Sequence, residues 1–485
     1  MKLTQIPKMA IEALHPLGMK CSTDMEYARI ATEVAREMAK LKIDDISSDG
    51  LKLLSLNITM YFEDIVADAG IWRGFTGLVK AEQGRELPFF DVAPENYYVD
   101  EPDLNAVKFL VWYTMLEVHH GRVGNPESPI VQELAEAAYG VLEKHFETVS
   151  VNEELKAYFT DAQFTSDFYQ QRDMLKWLCF SCYLTYIPHL IDRLVSQAHE
   201  MARNMPGDPN AIFYLVECLA PYTNKIGPLG LLPQAWAASI LRANGKTKEA
   251  ELMGGQRFLD FQGYKIVSAE PEKSITIENY DGEQLTVSAD GMNYPHEECY
   301  SKKLIIGSFV QYDEVWYLNG DSRWGDDSKP FDDFSAEYAG REKLKEAYDK
   351  LKADSSIYYF ADNKALEKFL LENIPFDDEV KKKFKLPESQ NVALFIPADH
   401  HDDFMILPDA ALCLKDERNP YYNQKMALNQ ALNLALSLRE EVRDYVIAHN
   451  LLPDATINSS QGLKRGNEIV QQNFSFLVRA VASRL

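Results

Sequence analysis

Positive charge is what this 485-residue chain most lacks: 50 Lys and Arg face 74 Asp and Glu, a formal net charge of −24. That field favours solubility and repels polyanions, so nucleic acid or an anionic membrane would have to be met by a local basic patch. Long apolar runs are also missing. The longest uncharged stretch in a helical context, Trp177 to Ile191, is too short to span a bilayer and contains Ser181, Thr185 and Pro188. Cysteine is sparse: Cys21, Cys179, Cys182, Cys218, Cys299 and Cys413 are scattered, as in a reduced intracellular protein rather than a disulfide framework. Residues 1–19 have no basic start followed by an apolar stretch, which argues against a secretory signal. Together these absences predict a cytoplasmic chain with no membrane association and make nucleic acid an improbable partner.

What is present is enough apolar sequence, 46%, to build several cores, so wholesale disorder is excluded. The texture changes at Gly254–Gly255. Before it, apolar residues recur at helical spacing: Tyr27, Ile30, Ala31, Val34, Met38 and Leu41, then Leu54, Ile58, Tyr61, Ile65, Ala69 and Trp72. Thr23 with Glu26 has the spacing of a capping box. Leu104–His120 reads as a central helix, one long helix is expected over 168–204, and Leu87–Val99 is an aromatic loop punctuated by prolines. From Phe258 to Trp324 the pattern shortens to alternating strands near 263–269, 274–279, 284–289, 303–311 and 314–319, with an Asp281-Gly282 hairpin turn. Helices and strands mix in the last third. The expected fold class is α+β multidomain: a large all-helical N-terminal domain (1–255), a small SH3-like or OB-like β barrel (256–328), and an α+β C-terminal domain (329–485).

No intact catalytic motif accompanies this layout. Gly245-Lys246-Thr247 ends like a phosphate loop but lacks the earlier glycine, position 240 being Ile, and reads as an inter-helix turn. Gly320-Asp321-Ser322-Arg323-Trp324 misses nucleophile-elbow spacing by one residue. Cys179 and Cys182 form one CxxC among apolar neighbours, with no second pair to complete a zinc site. Glu117 and His120 share a helix face and, with Glu63, Asp64 or Asp68, make half of a di-metal carboxylate pattern. The densest polar cluster is Asp399, His400, His401, Asp402 and Asp403, which supplies ligands for zinc, iron or manganese and a candidate centre for a metal-dependent hydrolase. Tyr312, Trp316, Tyr317 and Trp324 offer aromatic surface for binding. Between residues 255 and 330, seven Lys and Arg against fourteen Asp and Glu favour peptide or intramolecular docking over nucleic acid.

Several segments together resemble a known family: Tyr61-Phe62-Glu63-Asp64-Ile65, Gly70-Ile71-Trp72, Leu87-Pro88-Phe89-Phe90, Phe109-Leu110-Val111-Trp112, Val315-Trp316-Tyr317-Leu318, Ser322-Arg323-Trp324, Asn419-Pro420-Tyr421-Tyr422, Leu451-Leu452-Pro453-Asp454-Ala455, Gln472-Asn473-Phe474 and Phe476-Leu477. The combination resembles an uncharacterised domain-of-unknown-function family typical of Bacteroides-type bacteria. The resemblance implies a bacterial, cytoplasmic architecture shared over most of the chain and brings no activity, cofactor or catalytic residue. The expected function is therefore a cytoplasmic binding or scaffold protein for a protein or peptide partner. The alternative is the metal-dependent hydrolase using the 399–403 cluster.

Overall fold

The computed structural model describes residues 5–90, 92–119, 123–204, 208–290, 292, 301–329, 331–332, 342–376, 378–397, 404–452, 457 and 459–484. The chain divides into two units, Met1–Ser328 with Arg479–Leu485, and Lys329–Val478. In the first, helices α1 (Lys8–Glu12), α2 (Asp24–Ala39), α3 (Ser48–Ala67), α4 (Ile71–Gln83), α5 (Leu104–Val118), α6 (Pro129–Phe146), α7 (Glu153–Asp161), α8 (Phe168–Phe180), α9 (Leu190–Asn204), α10 (Pro209–Thr223), α11 (Pro233–Ala243) and α12 (Thr247–Gly254) precede a sheet.

Local chemistry sets many of these starts. Ser47, Asp103, Ser128, Asn152 and Asp208 each accept a backbone N–H of the helix that follows. Each such cap stabilises its helix by about 1 kcal/mol. Pro129 and Pro209 sit in the first turn, where their missing N–H costs nothing. The expected capping box does not form. Thr23 is itself in helical backbone conformation, its hydroxyl has no partner, and the Asp24 carboxylate instead accepts Cys21 N–H at 2.8 Å. The helix expected over 168–204 is broken between α8 and α9. Tyr183 and Thr185 leave the helix to bond Asp64 and the Leu178 carbonyl, and His189, at φ 58°, follows Pro188.

α3 packs against α2 and α5 and is buried nearly all round, including Glu63 and Asp64. Its Tyr61 meets Trp72 edge-on at 4.9 Å, and the aromatic run continues through Phe75 to Phe109. The aromatic loop at 87–99 completes this core. Leu87, Phe89 and Tyr97 are buried, Tyr97 accepts the Trp72 indole N–H at 2.8 Å, and Tyr98 is left exposed.

Strands β1 (Arg257–Glu270), β2 (Ser274–Glu278), β3 (Gln284–Ser288), β4 (Leu304–Tyr312), β5 (Val315–Leu318) and β6 (Arg323–Gly325) follow the order β1-β2-β3-β5-β4-β6. β1 also pairs with β4, so the circuit β1–β2–β3–β5–β4 returns to β1. Irregularities in β1 at Leu259/Gln262 and Ile266/Ser268 bend it enough to serve both neighbours. At the β2–β3 hairpin, Gly282 takes φ 79° while the Asn279 side chain accepts the N–H groups of Asp281 and Glu283.

The second unit is α+β. Helices α13 (Glu342–Asp354), α14 (Asn363–Asn373), α15 (Asp378–Lys383), α16 (Gln424–Ser437), α17 (Glu440–Ala448) and the body of α18 (Leu463–Ala482) accompany an antiparallel sheet β7-β8-β9 (Ile357–Asp362, Gln390–Phe395, Met405–Leu407). Period-2 alternation divides its side chains. Ile357, Phe395 and Met405 pack with Leu438, Val442 and Val446, while Tyr358, Leu394 and Ile406 pack with Leu351, Leu366 and Leu370.

The last residues of the chain belong to the first unit. Arg484 is buried between the rings of Tyr113 and Tyr186, at 4.0 and 4.6 Å, and pairs with Glu117 at 3.1 Å. Arg484 is fully buried while Glu117 is half-buried and keeps the Tyr186 hydroxyl, so the loss on truncation comes chiefly from the ring and ion-pair contacts of the buried guanidinium. Arg484→Ala is expected to cost about 3 kcal/mol in urea-induced unfolding. A loss below about 0.5 kcal/mol, the scale of an ordinary surface change, would show that the anchor is dispensable.

Candidate functional site

A groove of about 440 Å³ lies at the outer edge of β9, within the size range of ligand clefts. It is lined by Phe404, Met405, Ile406, Leu407 and Pro408 on the strand side and by Leu434, Ser437, Leu438 and Arg439 on the helix side. Met405 and Leu407 belong to one face of the sheet and Phe404 and Ile406 to the other, so the groove wraps the strand's edge rather than covering a face. Among the described residues β9 has one pairing neighbour, β8. Alternate backbone N–H and C=O groups of such a strand point away from the sheet.

Of the residues singled out in the sequence, Asp399, His400, His401, Asp402 and Asp403 lie outside the described residues, as does His120. The four aromatics of the β sheet sit against protein. Tyr312 and Trp316 are buried. The Tyr312 hydroxyl donates to the Thr165 carbonyl at 2.6 Å, and Trp316 joins the sheet's apolar core. Tyr317, half-buried, stacks on Phe168 at 4.9 Å, and Trp324 packs against the same core as Trp316. Cys179 and Cys182 are buried, with burial pushing both thiols up, Cys182 to about 11.

Glu63, Asp64 and Glu117, grouped in the sequence as a half-site, serve three different networks. Glu117 accepts from Tyr186 and pairs with Arg484. Asp64 accepts Ile71 N–H at 3.0 Å, Trp72 N–H at 2.7 Å and the Tyr183 hydroxyl at 2.9 Å, closing the α3–α4 corner. Burial pushes the Asp64 carboxyl up to about 6 against the pull of those donors.

Glu63 faces a cluster that sequence reading missed. His15, in the loop between α1 and α2, places Nε2 2.9 Å from Glu63 Oε2, and Asn152 Nδ2 donates to Glu63 Oε1 at 2.8 Å. The other imidazole nitrogen, Nδ1, lies 3.1 Å from the Met19 carbonyl, 3.5 Å from Asp24 Oδ1 and 3.7 Å from Cys21 Sγ. His15, Cys21, Asp24, Glu63 and Asn152 are all buried. Lys8 Nζ approaches Asp24 Oδ2 at 3.7 Å from the surface side. Burial opposes a charge on His15, but the Cys21 and Glu63 side chains beside it push the imidazole up to about 10. The only sequence signal was negative: His15, Pro16 and Gly18 interrupt the first apolar segment, and His15 and Cys21 are separated from Glu63 by more than forty positions.

The sign of the Asp64 shift makes a testable prediction. A carboxyl whose folded pKa lies above its ordinary 3.8 contributes stability that is present below about pH 4 and is lost as pH rises to about 6. Relative to Asp64→Asn, the wild-type chain should lose about 3 kcal/mol of unfolding free energy across that window, measured by urea titration at each pH. A difference that stays constant with pH would contradict the assignment.

A family model described as "Protein of unknown function (DUF3843)" matches residues 6–257 and 327–482, and the chain belongs to that family. The two matched segments contain the His15 cluster and the β9 groove; the unmatched residues between them hold the β1–β6 sheet almost entirely. No curated protein and no solved structure matches the chain. Among the described residues, no helix is long and apolar enough to cross a membrane.

Proposed function

We propose that this family member is a binding protein for a protein or peptide partner, which it takes as an extended segment along the outer edge of β9. The observation that carries the reading is the groove itself. A strand edge that has one neighbour among the described residues is flanked by apolar side chains from both faces of its sheet and by the end of α16. Main-chain pairing to β9 would supply affinity, and the pockets beside alternate side chains would supply selectivity for apolar residues. A small molecule would use the pockets but leave the strand's hydrogen-bonding groups unmet.

The β1–β6 sheet then acts as a separate structural module of a three-part protein. Its pairing circuit, with the one parallel contact between Val287 of β3 and Trp316 of β5, supports the OB-like form of small barrel over the SH3-like one. Its aromatic side chains dock within the chain, on Thr165 and Phe168, rather than offering a stacking platform.

Selection of random peptides displayed on phage against the full chain is the direct experiment, followed by affinity measurement on the best sequence. Ser437 is exposed and lines the groove, so Ser437→Trp fills it without touching the core. The expected result is enrichment of apolar extended sequences whose affinity falls at least about tenfold in Ser437→Trp, with the melting temperature held within about 2 °C. Failure to enrich any peptide, or peptides that bind Ser437→Trp as tightly, would overturn the reading.

A further inference from the structure

We propose that His15, Cys21 and Asp24 form a mononuclear site for a divalent first-row transition metal, zinc foremost, independent of the β9 groove. The three side chains place one ligand atom each, Nδ1, Sγ and a carboxylate oxygen, within 4.8 Å of one another, and all three residues are buried. Bond lengths of zinc to imidazole, thiolate and carboxylate at tetrahedral angles put nitrogen and sulfur ~3.6 Å apart and nitrogen and oxygen ~3.4 Å apart. Two of the observed separations, 3.7 Å for Nδ1 to Sγ and 3.5 Å for Nδ1 to Asp24 Oδ1, match those of such a centre, and the third, Sγ to the carboxylate, falls within 4.8 Å.

A second observation points to the same ligand. Asp24 is fully buried, and its Oδ1 accepts no hydrogen bond, although Oδ2 is held by Cys21 N–H. A buried carboxylate oxygen without a donor is costly, and an ion bound between it, Cys21 and His15 removes that cost. The surroundings have the form that metal-bound histidines take. Glu63 holds Nε2, so Nδ1 is the nitrogen turned toward Cys21 and Asp24, and Asn152 in turn holds Glu63. The Met19 carbonyl, 3.1 Å from Nδ1, or a water completes four-fold coordination. The mixed nitrogen, sulfur and oxygen donor set suits zinc better than magnesium or calcium, which take oxygen ligands. The ion's two positive charges would balance the two anionic ligands, the Cys21 thiolate and the Asp24 carboxylate.

The test uses the full chain stripped with a chelator, then titrated with Co²⁺ and with Zn²⁺. Metal content is read by mass spectrometry and Co²⁺ coordination by absorption. The expected result is one ion per chain, with a thiolate-to-cobalt charge-transfer band that vanishes in Cys21→Ser. Glu63→Gln should keep the band and weaken binding about 10–100-fold. His400→Ala combined with His401→Ala should leave the band unchanged, which separates this site from the 399–403 cluster. Circular dichroism of each metal-free variant verifies that it is folded before titration. If the wild-type chain takes up no ion, or the cobalt spectrum lacks the thiolate band, or Cys21→Ser retains it, the proposal fails. In those cases the cluster is a metal-free network in which a protonated His15 bridges Glu63 and the Met19 carbonyl.

Discussion

Two adjacent carboxylates buried on α3 impose the constraint around which the helical unit is arranged. An uncompensated charge in an interior costs several kcal/mol, so Glu63 and Asp64 must each be met by donors, and their side chains leave the helix in different directions. Asp64 takes the first N–H groups of α4 and the Tyr183 hydroxyl, which ties the α3–α4 corner to the turn after α8. Glu63 takes His15 and Asn152, which ties the α1–α2 loop to the start of α7. Asn152 also caps α7 through its other side-chain atom, so one residue ends a loop, starts a helix and satisfies a charge. The position of His15 relative to Cys21 and Asp24 is a consequence of this arrangement.

The β1–β6 sheet is joined to the helices by specific bonds rather than by loose contact. Tyr312 bonds Thr165, Asn319 donates to the Cys218 carbonyl at 3.0 Å, and Tyr222 stacks on Phe258 at 5.1 Å. The family match runs on either side of this sheet, whereas the helical core and the β9 region fall inside it. The chain therefore combines a family framework with a segment that is firmly docked yet outside the match. That separation places both the His15 cluster and the β9 groove in the shared framework.

Much of the architecture was legible because it rests on local periodicity. The apolar stripe of α2, the change of texture near Gly254 and the Asp281-Gly282 turn each depend on a few neighbouring residues, and they appear as read. The second stripe holds only as far as Ile65: the segment read through Ala69 and Trp72 breaks after Ala67, where Asp68 at φ 54° and Gly70 at φ 88° turn the chain, and Trp72 belongs to α4. Gly245 likewise lies in a turn between α11 and α12, at φ 72°. The misreadings arose where a tertiary partner outbid a local preference. Thr23 lost its capping role because the Asp24 carboxylate bonds Cys21, and the long helix over 168–204 broke because Tyr183 is drawn to Asp64. The 87–99 loop has the composition of a binding surface, yet it fills the core around Trp72. The His15 cluster could not be read at all. His15, Cys21 and Asp24 lie within one short segment, but their spacing matches no metal-binding motif, and Glu63 and Asn152, which hold the imidazole from behind, come from distant elements.

The dependence of the whole arrangement on Glu63 is measured most directly by a double-mutant cycle between Glu63→Gln and His15→Gln, read as unfolding free energy in urea. A buried, mutually compensating pair predicts a coupling of at least about 1.5 kcal/mol, because losing either partner already forfeits what the other provides. Additive effects, with a coupling within about 0.3–0.5 kcal/mol of zero, would contradict the account and leave the α1–α2 loop held by apolar packing alone.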